Sequence, residues 1–354
     1  MFKKIAVSVA LALIAGVLCV FCQDRSGDAI RVDTRLVSVP VIVSDRNGRY
    51  VPNLTAADFT LAQDGSPQKI EFFAATEEPL TVAVLIDTSQ STRPVLGDIK
   101  DSAKSFIKLL TFRDRGMVVS FDYDTHILSE LTSDQKQLEK AIKSAEIPRD
   151  FGTTLRDAAF QTVTHSFAGI KGRKAVIILT DGKDAGSQIS SRELLHSLEE
   201  SDTLIYTIMF KTGDRPPQIR FPTVGRNGGI FGGGFPGGGR GGRRGGGGGR
   251  FPPPQPRPQN PRRTERIEDK NAEAATFLQK LSATTGGRFF SSKDGKLKNT
   301  FAEIVEELRY QYRLGFYPPD EPSGKAFHEL KVKVNRPESV VRARYGYRTE
   351  SRLN

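Results

Sequence analysis

The sequence predicts an α/β protein: a doubly wound, mostly parallel sheet with helices on both faces, plus a small antiparallel β module formed by the N- and C-terminal segments. Three observations lead there. Apolar runs alternate with amphipathic helical stripes from residue 80 to 311. The two ends instead alternate apolar and polar residues with a period of two. A Gly/Arg/Pro-rich stretch interrupts the α/β part without dividing it in two.

Taken in order, the chain opens on "MFKKIAVSVALALIAGVLCVFCQD", with Lys3 and Lys4 before an apolar run from Ile5 to Phe21. That is the layout of a secretory signal peptide over residues 1–22, with Val20 and Cys22 placed for cleavage before Gln23. An uncleaved anchor is the alternative, and a lipobox fits the residues before Cys19 and Cys22 poorly. Both cysteines lie in this segment, so the exported chain would hold no disulfide, zinc thiolate or cysteine nucleophile.

Residues 30–76 read as half-buried strands, with turn signals at "DRNGR" and "QDGS". An α/β domain over 79–309 follows. "LTVAVLID" (80–87) is apolar enough for a strand covered on both faces. A helix is expected over 95–110, a strand over 116–122, and a helix over 133–145 capped by Ser133 or Asp134. Next come a helix over 154–167, a strand over 174–181, a helix over 190–201 and a strand over 203–210. After the insert, a helix over 271–286, the short strand "GRFFSS" and a helix over 297–311 complete the series. Residues 310–349 return to the alternating pattern, and each end is too short to stand alone, so the two should share one module.

The insert, residues 212–268, accounts for the charge. Eleven Arg and two acids between 212 and 266 give +9, Lys3 and Lys4 add +2, and the rest sums to zero against a total of +11. Half of the 34 Gly and 20 Pro fall there too, a composition that reads as disordered. "GGRGGRRGG" resembles an RNA-contacting RGG box. In an exported chain it reads better as a cationic loop facing an anionic envelope polymer, and against nucleic acid.

Three loops at expected strand ends share one chemistry. Asp87, Ser89 and Ser91 follow the first strand, Gly152, Thr153 and Thr154 precede a helix, and Thr180, Asp181 and Asp184 follow "AVIILT". In a doubly wound sheet, ligands gather beyond the carboxyl ends of the strands. Two carboxylates and several hydroxyls, without His or Cys, form a hard-oxygen set suited to Mg²⁺ or Mn²⁺. Too few carboxylates are present to fill an octahedron, which leaves a position for water or a partner's carboxylate. Other constellations carry less. Asp122 and Asp124 read as a polar strand end, Lys183 as a solvated loop charge, and His126, His165, His196 and His328 lack metal-ligand spacing.

"DTSQS", "GTTLRDA" and "LTDGKD", in this order, resemble the three loops of the von Willebrand factor type A domain family. The resemblance covers residues 79–309 apart from the insert, and implies a Rossmann-like fold with a metal-ion-dependent adhesion site. It implies Asp87, Ser89, Ser91, Thr153 and Asp181 as the metal residues, the hydroxyls binding directly and the Asp often through water. Phe151 departs from the family, where a Gly commonly precedes Gly-Thr. The flanking "PVIVSDRNGRYVPNLTAADFTLAQDGSPQKI" and "QYRLGFYPP" resemble an exported bacterial, acidobacterial-type branch of that family. The expectation is therefore an exported, non-enzymatic module at the cell envelope whose protein ligand supplies an acidic side chain. A structural subunit with a purely stabilising metal, or polyanion binding through the Arg/Gly-rich loop, are the alternatives.

Overall fold

Six strands, β5 (Leu80–Asp87), β6 (Arg115–Phe121), β7 (Thr125–Thr132), β8 (Arg173–Thr180), β9 (Leu204–Met209) and β10 (Phe289–Ser291), form the central sheet of the computed structural model. The described residues are 36–75, 78–212, 261–292, 297–319 and 326–349. The leading segment 1–22 and insert residues 213–260 lie outside them. The strand order is β10-β9-β8-β5-β6-β7, parallel throughout except for the β6–β7 pair.

Every residue of β5 is buried, and successive side chains serve opposite cores. Val82, Val84 and Ile86 face one core with α1 (Leu96–Ile107), α2 (Gln135–Ser144) and α6 (Leu297–Arg309). Ala83 and Leu85 face the other with α3 (Leu155–Gln161), α4 (Ser191–Glu200) and α5 (Pro261–Thr285). The helix stripes supply Phe106, Leu138, Phe301 and Leu308 to the first core, and Leu155, Leu194, Leu198 and Leu278 to the second. Each such buried side chain contributes about 1.5–3 kcal/mol.

Asp134, not Ser133, caps α2, its carboxylate accepting from Lys136 and Gln137 N–H. Ser190 and Glu193 form a reciprocal capping box on α4.

Three elements differ from the sequence reading. β7 was not expected as a strand; it is a half-exposed antiparallel edge whose pattern is too weakly apolar to stand out. The helix beginning at Leu155 widens into a π turn over Thr162–Ser166, where Thr162 and Thr164 hydroxyls bond back to Ala158 and Phe160 carbonyls. α5 starts at Pro261, inside the stretch assigned to the insert, with Pro where a helix tolerates a missing N–H.

The ends form two further sheets. β1 (Val37–Ser44), β4 (Phe72–Ala75), β11 (Tyr312–Phe316) and β13 (Val340–Ala343) are ordered β13-β1-β11-β4. β2 (Phe59–Gln63), β3 (Ser66–Gln68), β12 (Phe327–Val334) and β14 (Gly346–Arg348) are ordered β14-β12-β2-β3. All pairings in both are antiparallel, and strands from the two ends interleave in each. Val39, Val41, Leu61, Tyr312, Leu314 and Phe316 fill the core between them. Among the described residues, no helix is long and apolar enough to cross a membrane.

Candidate metal centre

β5 has β6 on one side and β8 on the other: the chain adds β6 and β7 on one side, then crosses to β8 on the other, so the sheet order reverses there. This is the switch point at which ligands meet an open α/β sheet. Asp87 ends β5, and Asp181 follows Thr180, the last residue of β8. Parallel pairing of Ile86 with Leu179 sets these strand ends side by side. Asp87 is 0% and Asp181 1% exposed.

The first loop is wound on Asp87. Ser89 N–H donates to Asp87 Oδ1 at 2.9 Å, and Thr180 Oγ1 donates to Asp87 Oδ2 at 2.6 Å. Thr92 Oγ1 closes the turn on the carbonyls of Asp87 and Ser89. That turn brings Ser89 Oγ and Ser91 Oγ within 3.1 Å of each other. Beneath it, Thr88 Oγ1 donates to Asp122 Oδ2 at 2.8 Å, anchoring the loop to the end of β6.

The second loop is pinned on both sides. Thr154 N–H and Oγ1 donate to Asp122 O, while Thr153 O accepts from Ala185 and Gly186 N–H of the third loop. Gly152 is required by close approach: a Cβ there would lie 2.9 Å from Tyr123 Cα. Thr153 is thereby buried between the loops.

In the third loop, Gly182 turns at a φ of +79°, a conformation that favours glycine, under Ala274 and Leu278 of α5. Asp181 Oδ2 accepts from Lys183 Nζ and from Thr212 Oγ1, each at 2.8 Å. Lys183 Nζ also donates to Thr212 Oγ1 at 2.8 Å. Lys183 is thus an ion-paired member of the centre, where the sequence reading had a solvated loop charge. Asp184 belongs elsewhere: it accepts from Arg156 N–H at the start of α3 and pairs with the Arg156 guanidinium at 3.2 Å.

Burial, reinforced by the nearby Asp181 carboxylate, pushes the Asp87 carboxyl up to about 7. A buried pair of carboxylates at one point of the sheet calls for positive charge, and Lys183 supplies it to one of them only. The oxygen-only donor set of Asp87, Ser89, Ser91, Thr153 and Asp181 fits a hard divalent cation. Among the described residues, no three of His, Cys, Asp and Glu gather into a metal cluster. Any such ion would therefore rest on hydroxyls as much as on carboxylates.

Of the residues singled out in the sequence, the loops containing Asp87, Ser89, Ser91, Thr153 and Asp181 converge here. Asp122 serves as the buried acceptor for Thr88. His126 lies 3.3 Å from Asp122 Oδ1, and His328 pairs with Asp64 at 2.7 Å in the β module. The supporting roles of Thr88, Thr92 and Thr212 escaped the sequence reading. Thr92 at the close of D-x-S-x-S-T was their one local signal.

Residues 82–183 match the family model for the von Willebrand factor type A domain. No curated protein matched the chain. Among solved structures, a conserved hypothetical protein BatB from Bacteroides thetaiotaomicron is 16% identical, with a TM-score of 0.40, covering 65% of this chain and 98% of its own. The vWF domain of the type V pili tip protein Mfa5 from Porphyromonas gingivalis is 13% identical, with a TM-score of 0.41 and coverage of 65% and 94%. Proximal thread matrix protein 1 from the mussel byssus, with a zinc-occupied MIDAS motif, is 14% identical, with a TM-score of 0.44 and coverage of 69% and 49%. This chain thus spans about half the length of the mussel protein. The likeness to the von Willebrand factor type A domain is thus carried by residues 82–183 of this chain.

Proposed function

We propose that the protein is an exported, non-enzymatic binding module that recognises an acidic side chain of a partner protein through a divalent cation at the cell envelope. The observation that carries this reading is the meeting of two buried carboxylates, Asp87 and Asp181, with the paired hydroxyls of Ser89 and Ser91 at the sheet's switch point. Asp87, Ser89, Ser91, Thr153 and Asp181 would hold Mg²⁺ or Mn²⁺, and the bound ion would supply a Lewis-acidic position for a carboxylate. The residues around it do the orienting. Thr180 and Ser89 N–H fix the Asp87 carboxylate, while Thr212 and Lys183 fix that of Asp181. Export rests on the leading segment, whose layout is that of a signal peptide.

A second reading, in which the ion only stabilises the fold, is favoured by burial: Asp87, Ser89 and Asp181 are 0%, 2% and 1% exposed. Two measurements on the same samples separate the readings. Mg²⁺ at a hundredfold excess over its dissociation constant should stabilise the wild type by about 2.7 kcal/mol. Asp87→Asn and Asp181→Asn should abolish that shift in thermal melts. Capture of envelope proteins should then depend on Mg²⁺ and fail in both variants. Metal binding without metal-dependent capture would leave the site structural.

A further inference from the structure

Two aromatic side chains stand exposed beside the candidate metal centre, Phe151 at 75% and Tyr123 at 47%. They come from different loops brought together by Gly152, whose α-carbon packs so tightly on Tyr123 that a Cβ would collide. The backbone presenting them is held in place. Thr154 N–H on Asp122 O fastens the loop of Phe151 to that of Tyr123, and Thr153 O on Ala185 and Gly186 fastens it to the third loop. The Tyr123 ring lies edge-on to His126 at 6.1 Å, and His126 rests on Asp122, the acceptor of Thr88. The aromatic pair is therefore mechanically continuous with the loop that begins at Asp87.

The same loops also carry polar side chains of both signs: Arg93 binds Gln90, Gln90 reaches across to Pro148 O, and Arg93, Arg149, Asp124 and Asp150 are all exposed. Lys183 borders the same centre. With surface charge of both signs here, it is a cation bound at the centre that would select a carboxylate-bearing partner. Rigid aromatic rings at low entropic cost are the usual anchors of protein contacts, and two rings offer too little area to hold a membrane surface.

We propose that Phe151 and Tyr123 form the apolar half of the binding face, and that the partner is a protein segment whose acidic residue has an apolar side chain within two positions of it. This rests on the metal-dependent reading above and narrows it to a sequence class.

The test is selection of displayed peptides on the full chain, each with a central Asp or Glu and two random positions on either side, in Mg²⁺ and in chelator. The Mg²⁺-dependent pool should be enriched in aliphatic or aromatic residues at the random positions. The best peptide should bind the Phe151→Ser/Tyr123→Ser variant at least about fivefold more weakly, while the variant keeps its Mg²⁺-dependent melting shift. Acidic peptides captured with no apolar preference, or bound equally by the variant, would overturn this inference and leave the metal-dependent reading standing. The absence of any Mg²⁺-dependent acidic peptide, with the melting shift intact, would overturn both. The composition of the wild-type pool decides the matter even if the double variant folds poorly.

Discussion

Lys183 alters how the centre works as an electrostatic object. Its ammonium sits on Asp181 Oδ2, so the protein carries a built-in cation next to the place where a metal would go. Lys183 is 36% exposed but Asp181 is buried, so losing the ammonium would leave a buried carboxylate uncompensated, at a screened cost of about 1–3 kcal/mol. The ammonium should also weaken ion affinity, because like charges repel across a short, partly buried distance. Lys183→Met is expected to tighten Mg²⁺ binding severalfold while lowering metal-free stability by about 1–3 kcal/mol, as isothermal titration and urea melts would show. Weaker Mg²⁺ binding in the variant would mean that Lys183 holds Asp181 in its ligating pose instead of competing for it.

At the scale of elements, two helices of the α/β body hold the β module through buried glutamates. Glu307 on α6 is 1% exposed and pairs with Arg342 of β13 and Arg288 before β10, both at 2.7 Å. Glu199 on α4 accepts from Tyr345 Oη at 2.8 Å and from Arg348 Nε at 2.6 Å. Breaking a buried pair by removing one partner costs about 3–5 kcal/mol, because the other charge is left uncompensated. The Arg288 and Arg342 side chains are 35% and 30% exposed, so water would recover part of that loss. Glu307→Gln is therefore expected to destabilise by about 2–3 kcal/mol, read from chemical denaturation. A change below about 0.5 kcal/mol would show that the Glu307 pairs contribute nothing to joining the module to the body.

The whole molecule is closed by its C-terminal strands. β11 lies between β1 and β4, and β12 lies between β14 and β2, so neither is an edge that the module can lose. Removing residues 312–354 would strip both partners from β1 and one from β2, and expose Val39, Val41 and Leu61. The truncated chain should aggregate or be cut within residues 36–75 under limited proteolysis. A soluble product with that segment still resistant would mean that the N-terminal strands fold without their C-terminal partners.

Much of this was legible from periodicity. β5, β8 and β9 are apolar runs because both faces of a central parallel strand are covered, and burial of every residue in β5 and β9 leaves no other pattern available. The helix stripes and caps are local, so Asp134 and Ser190 could be found without knowing the fold. The three polar loops were legible for the same reason, since each follows or precedes an element that the pattern already marks. What the sequence by itself determined is thus most of the elements of the central sheet and its helices, the pairing of the two ends, and the residue types that face the switch point.

Only the tertiary structure decided which of these residues meet. Asp184 has the same chemistry and near-neighbour position as Asp181, yet α3 draws it to Arg156, because a part-buried N–H at the helix start and the Arg156 guanidinium both bind its carboxylate. Lys183 pairs with Asp181 two residues away, but it is Thr212, 29 residues further on, that binds both and completes the arrangement, a contact no spacing rule encodes. β7 became a strand because β6 offered it an open edge, not because its own residues favour burial. In each case the deciding energy lies between segments distant in sequence, and local patterns carry no record of it.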